Sequence, residues 1–278
     1  VHLLEVIDAS FSYKSAKIFE HISISIGPGE VHCIIGPNGC GKTTLLDCIL
    51  GILKFNAGEI KLMGRNINQY RIWEIANQMA YVPQSHAKTF PYTVLDIVLM
   101  GRASHTGMFS SPDMEDRAIA EDALAMVGLS RYKDRPYTQL SGGEGQLVMI
   151  ARALAQQTPL IIMDEPTAHL DFKHELIVLE TIVRLVRDTG LSVVMATHFP
   201  NHAFYFANHG INTFVALMSN HSFMAKGHPD NILTEENLQS VYNIYAKVVT
   251  QHIDEIGELK QIIPVGTLAN NFQGGQTV

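Results

Sequence analysis

Eight consecutive residues, Gly36-Pro37-Asn38-Gly39-Cys40-Gly41-Lys42-Thr43, fit the spacing G-x-x-x-x-G-K-[ST]. Glycines at the fixed positions let successive backbone N–H groups turn inward around an anion, with no Cβ in the way. A helix starting at the end of the loop directs its positive dipole end at the same charge. Lys42 can then reach the terminal phosphates, and the Thr43 hydroxyl is placed to bind Mg²⁺. This is the chemistry of a purine nucleoside triphosphate site, although the spacing alone does not select a reaction.

Two apolar runs end in further reactive groups. Leu160-Ile161-Ile162-Met163 is followed by Asp164-Glu165. A strand buried on both faces would put Asp164 at the sheet edge near the loop. There it suits Mg²⁺ through water, because Mg²⁺ prefers hard oxygen ligands and retains its waters. Glu165, one residue on, suits polarising an attacking water. Ser192-Val193-Val194-Met195-Ala196 is followed by Thr197-His198, where a His could contact a γ-phosphate and position that water. His198 and His202 stand at i, i+4, a metal-ligand spacing on a helix, but Pro200 separates them. They are not expected to share a face.

Leu140-Ser141-Gly142-Gly143-Glu144 precedes a helix expected over 146–155. It makes a second anion-binding helix start in one chain. One nucleotide rarely needs two such sites from one subunit. A simple reason for the second is that it closes on a nucleotide held by another copy.

The elements that must position these groups alternate along the chain. Strands are expected at 3–7, 22–26, 31–35, 59–63, 79–82, 160–163 and 192–196, with helices at 43–53 and 175–187. The run 31–35 reads as a buried parallel strand, and the alternation implies a largely parallel sheet with helices packed on it. Residues 85–155 read as a mostly helical insertion. Within it, Ser111-Pro112-Asp113 predicts a helix start with Ser111 as cap and Pro112 in the first position. Hairpins are expected at 213–218 with 223–226, and at 248–250 with 259–263. The polar stretch 270–278 is expected to fray.

Composition narrows the class. The 278 residues are 46% hydrophobic and 17% charged, enough for a core and against a disordered chain. Net charge is −7, which disfavours general nucleic-acid binding and a polybasic membrane anchor. Mean hydropathy is high at +0.09, yet no apolar run approaches the ~18 residues of a membrane span. Cys33, Cys40 and Cys48 match no common zinc pattern and point to a reducing compartment. No secretory signal is visible at the start.

Together these pieces resemble the ATP-binding subunit of an ABC transporter. The match covers about residues 3–250, with motifs in the family's order: Phe11-Ser12-Tyr13, the loop 36–43, Gln84 after Tyr81-Val82-Pro83, the Ser141 run, Asp164-Glu165-Pro166-Thr167, Ala168-His169-Leu170-Asp171 and Ala196-Thr197-His198. The resemblance implies an α/β fold. Its P-loop NTPase core has a largely parallel sheet, an N-terminal antiparallel β part and an inserted helical subdomain at about 85–155, with 251–278 as a C-terminal extension. It implies ATP and Mg²⁺ as cofactors and a head-to-tail homodimer. Each ATP would be held by Gly36, Pro37, Asn38, Gly39, Cys40, Gly41, Lys42, Thr43 and Thr44 of one copy, and by Ser141, Gly142 and Gly143 of the other. Tyr13 would stack on the adenine. Thr43, Gln84 and Asp164 would hold Mg²⁺, with Gln84 sensing the attacking water. Lys42 would assist hydrolysis, Glu165 would be the catalytic base, His198 the switch residue, and Asp171 a contact across the dimer.

The chain departs from the pattern at Glu144-Gly145-Gln146-Leu147, where the family often has Arg on both sides of the Gln. The loss removes positive charge near the trans site, and Gly145 lowers helix propensity by about 1 kcal/mol relative to Ala. Activity below that of relatives is the expectation. Cys40 is read as a small tolerated residue.

No spanning segment is fused to the cassette, which resembles importers. The runs 90–102, 170–172 and 232–238 are similar to subunits serving siderophore, haem, cobalamin and molybdate or tungstate importers. The implied partners are a second copy and integral membrane permease subunits, with a periplasmic or extracellular substrate-binding protein only indirectly and no nucleic acid. Permease contact is expected at about 85–107, from the cytoplasmic face of the membrane. The rival reading is a soluble ABC ATPase acting on nucleic acid or ribosomes. The long coiled coil and the tandem cassette of those members are not seen in this sequence, and the acidic balance also disfavours them.

Overall fold

The computed structural model describes residues 2–84, 90–106, 111–254 and 257–268. The chain opens with β1 (Leu4–Tyr13) and β2 (Ala16–Ile26), paired antiparallel. Both run longer than expected because inward apolar residues continue the alternation at Ala9, Phe11 and Phe19. β3 (Val31–Ile35) leads into the glycine loop and α1 (Lys42–Ile49). That helix stops four residues short of the expected 53. Gly51 lies at φ 75 and turns the chain, while Ile52 N–H closes the end on Asp47 O. β4 (Ala57–Leu62) and β5 (Arg65–Asn66) complete a sheet of order β2-β1-β4-β5, and α2 (Ile72–Ala76) then leads into β6 (Met79–Val82).

The helical part follows as α3 (Val94–Leu99), α4 (Met114–Met126) and α5 (Gly142–Ala155). Arg102 ties it together. It donates to Asp116, to the Ala155 carbonyl and to Gln157, and is nearly buried. The cap of α4 corrects the sequence reading. Asp113, not Ser111, accepts from the N–H groups of Glu115 and Asp116, and the Asp116 carboxylate accepts from Asp113 N–H in return. This reciprocal box needs an acidic or amide side chain three residues after the cap. Asp113 has Asp116 there, whereas Ser111 has Met114. Pro112 therefore precedes the cap instead of opening the helix.

The main sheet resumes with β7 (Leu160–Asp164), α6 (Phe172–Thr189), β8 (Ser192–Thr197), α7 (Asn201–Asn208), β9 (Thr213–Ser219) and β10 (Ser222–Gly227). Its order is β10-β9-β3-β8-β7-β6, parallel except for β10 at one edge. Both faces are covered, so its strands read as unbroken apolar runs. Val31, Cys33, Ile35, Ile161 and Met163 face α3–α7. Ile34, Leu160 and Ile162 face α1 and the antiparallel sheet. The parallel strands β3, β8, β7 and β6 are neighbours, so their C-terminal ends fall side by side at one end of the sheet. Ligands in open α/β sheets bind at that end.

The chain continues through α8 (Pro229–Ile232) and α9 (Glu235–Tyr242) to a hairpin of β11 (Ile244–Ile253) and β12 (Gly257–Thr267). The expected boundary at 250/251 lies within β11. Two amides on α7 hold β12. Asn201 bonds both N–H and C=O of Ile262, and Asn208 does the same at Lys260. Among the described residues, no helix is long and apolar enough to cross a membrane.

The cap assignment is open to a direct check by urea unfolding. Asp113→Ala should lower stability by about 1 kcal/mol, and Ser111→Ala should leave the midpoint where it is. A loss from Ser111→Ala alone would return the cap to Ser111.

Candidate active site

Each functional side chain follows the end of a parallel strand. The loop 36–41 follows β3, Gln84 follows β6, Asp164 ends β7 with Glu165 after it, and His198 follows β8. A cavity of about 650 Å³ opens there, lined by Asn38, Lys42, Thr43, Gln84, Glu165 and His198 among others. Gly41 caps α1 without a side-chain bond, so the first-turn N–H groups have no side chain in front of them.

Glu165 is the hub. Its backbone sits at φ 45, uncommon for a residue with a side chain, and its N–H is held by Ala196 O at 2.9 Å. Oε2 accepts from Gln84 Nε2 at 3.2 Å and lies 3.1 Å from His198 Nδ1. Oε1 is 3.5 Å from Lys42 Nζ. The Lys42 ammonium is 5% exposed and also donates to the carbonyls of Gly36 (2.9 Å) and Pro37 (3.2 Å). An ammonium this far from water needs such partners.

Asp164 is buried, and its Oδ1 has no hydrogen-bond partner. Burial pushes its carboxyl pKa up, while a bond from the Thr43 hydroxyl pulls it down. An orphaned buried acceptor is costly, and a hard cation or its water would satisfy this one. Thr43, Asp164 and Gln84 offer only the oxygen donors that Mg²⁺ takes, so the residues present fit the ion.

Other expected ligands lie elsewhere. Tyr13 is not in the cavity wall. It is half exposed and packs edge-on against Phe11, with ring centroids 4.9 Å apart. Ser141, Gly142 and Gly143 lie at the start of α5, outside the cavity. Ser141 and Glu144 cap that helix reciprocally, at 2.9 and 3.2 Å. A Cβ at Gly143 would collide with the His174 ring. His174 is in turn bound to Asp171, the cap of α6, at 2.8 Å. Ser141, Gly142, Gly143 and Asp171 thus form a second cluster joined through His174. At the two positions where the family often has Arg, Gly145 and Leu147 are buried in α5. His198 and His202 do not converge. His198 faces Glu165, whereas His202 bonds Thr197 and Glu175.

Sequence reading missed some of the wall. Ile18 closes it beside Gly41, and His169 and Glu175 also line it. His169 sits within the Ala168–Asp171 motif, and Glu175 is one helical turn past Asp171. Position relative to that motif was the available signal. Ile18 had none, since nothing in β2 marks a residue that faces a loop.

A family model described as ABC transporter matches residues 19–168. The chain is 37% identical over 238 residues to the iron(3+)-hydroxamate import ATP-binding protein of Bacillus subtilis, covering 86% of this chain and 87% of that one. It is 36% identical over 242 residues to the molybdate import ATP-binding protein of Haemophilus influenzae, covering 87% and 88%. Among solved structures, it is similar to a metal-chelate type ABC transporter in an inward-facing conformation. The TM-score is 0.84 and identity 33%, with 95% of this chain and 98% of that one covered.

Cys40 provides a chemical check on the loop. Burial pushes its thiol up, and the thiols of Cys33 and Cys48 also. Cys40 alone is partly exposed. Alkylation should therefore fall on Cys40 first by mass spectrometry and abolish hydrolysis, with ATP protecting. Its rate should climb about tenfold per pH unit between pH 7 and 9, as the thiolate fraction grows. A Cys40→Ser variant that loses activity to the reagent as fast as the parent would sink the assignment.

Proposed function

Because the chain belongs to the ABC transporter ATP-binding family and is an ATPase, we propose that it powers an importer for a metal chelate or a molybdate-type oxyanion. The observation that carries the reading is the split between two clusters. The cavity holding Lys42, Thr43, Glu165 and His198 has no wall from Ser141, Gly142 or Gly143. A second copy packed head-to-tail would supply that wall, so ATP closes the dimer and hydrolysis reopens it.

The roles follow from the geometry around Glu165. When ATP enters, Lys42 exchanges Glu165 and the Gly36 and Pro37 carbonyls for the terminal phosphates. That release frees Glu165 to accept a proton from the attacking water. His198 and Gln84, both already on Glu165, hold its carboxylate in place. Mg²⁺ bound by Thr43, Asp164 and Gln84 would neutralise charge developing on the phosphates. Tyr13, open to solvent at the end of β1, would stack on the adenine. Asp171 would meet its counterpart region across the dimer.

Closure is passed to the helical part through Gln84. The expected permease contact, 85–107, falls partly outside the described residues, at 85–89 and 107. Within it Phe90 and Tyr92 are exposed, with their ring centroids 5.9 Å apart. A membrane partner's cytoplasmic helix would cover such side chains. The relatives named above import iron(3+)-hydroxamate and molybdate, and both cargo classes are consistent with this reading.

Glu165→Gln should bind ATP normally and hydrolyse it about 10²- to 10⁴-fold more slowly, leaving the dimer closed. Tagged and purified from solubilised membranes with Mg-ATP, it should bring down a polytopic membrane protein at one copy per cassette. Recovery of soluble partners or ribosomes alone would end the importer reading while keeping the ATPase.

A further inference from the structure

His202 on α7 is 2% exposed and takes no part in the roles assigned so far. Its Nδ1 is 2.9 Å from the Thr197 hydroxyl, and its Nε2 is 2.7 Å from Glu175 Oε1. The partners assign the tautomer. A carboxylate only accepts, so Nε2 carries the hydrogen. The Thr197 oxygen already accepts from Phe199 N–H at 3.1 Å, and its own hydrogen is then directed at Nδ1. The result is a chain running one way: Phe199 N–H to Thr197, Thr197 O–H to His202, His202 N–H to Glu175.

Thr197 stands beside the Glu165 hub, and Glu175, which also lines the cavity, is tied through the start of α6 to the second cluster. Thr197 directly precedes His198, whose ring reaches Glu165. The Thr197–Phe199 bond shapes the turn that aims that ring. Glu175 lies on α6, with its N–H on Asp171 O at 2.9 Å. Asp171 in turn holds His174 against Gly143. A displacement at the start of α6 therefore reaches the Thr197–Phe199 turn through one buried side chain.

We propose that His202 is a positioning residue. It sets the aim of His198 at Glu165 according to where the Asp171 end of α6 stands. The proposal rests on the roles given above to Glu165 and His198. Without His202 the buried Thr197 hydroxyl would lose the acceptor for its hydrogen and the Glu175 carboxylate a donor, so the three act as a unit.

The test is steady-state ATP hydrolysis by the full chain, with nucleotide binding and thermal melting measured alongside. His202→Leu should lower kcat about tenfold while KM for ATP changes less than about twofold, since hydrolysis and not binding depends on the aim. His202→Gln should recover most of the loss, because its amide presents one acceptor and one donor as the imidazole does. Thr197→Val keeps the side-chain shape and breaks the chain from the other end. It should mimic His202→Leu, and the double variant should fall no further than either alone. If His202→Leu does not fold, Thr197→Val with His202→Gln carries the test. A parental kcat in His202→Leu or Thr197→Val, or a Gln variant as impaired as Leu, overturns the proposal. Glu165→Gln run in parallel separates the two readings. If it too hydrolyses normally, the assignment of Glu165 has failed; if it is inactive while His202→Leu is not, only the role of His202 has failed.

Discussion

A carboxylate that is almost out of water has to be answered by donors, and at Glu165 the donors arrive from three distant parts of the sequence. Lys42, Gln84 and His198 each follow a different strand of one parallel sheet. They meet because β3, β8, β7 and β6 are adjacent and run the same way. The pairing register aligns those ends. Ile35 lies opposite Thr197, Asp164 opposite Ala196 and Val82 opposite Met163. A slip of one residue would turn each strand's faces over and carry the donors away from Glu165. The register therefore does more than pair the strands, because it decides which atoms meet at the sheet's end.

Around that hub, one group is satisfied only from within the chain and another is incomplete. The Lys42 ammonium is satisfied by its own loop's carbonyls, and Asp164 keeps one oxygen without a partner. A phosphate chain with its cation would give the ammonium new partners and the carboxylate the one it lacks. Binding of such a ligand to the folded state alone stabilises it by mass action.

Much of this was legible in the sequence for one physical reason. A strand buried on both faces is a continuous apolar run, and the reactive residues stand directly after those runs at Gly36, Asp164 and Thr197. The glycine loop carried its spacing in plain view. What escaped were contacts between elements. His174 fills the space of a missing Gly143 side chain, and His202 bridges Thr197 to Glu175. No spacing along the chain encodes either. Local competition misled too. Ser111 and Asp113 are both good caps, and the partner three residues on decided between them. Gly51 ended α1 although the apolar pattern ran to 53.

A strand edge left open is a template on which another chain can add itself. The outer edge of β12 has a different neighbour. Asn201 and Asn208 each present a carboxamide that donates to and accepts from one residue of the strand, at Ile262 and Lys260. Two side chains of a helix thereby imitate two rungs of a β-ladder. Over that stretch the outward backbone groups of β12 are already occupied, and a further strand has no rungs to pair with there.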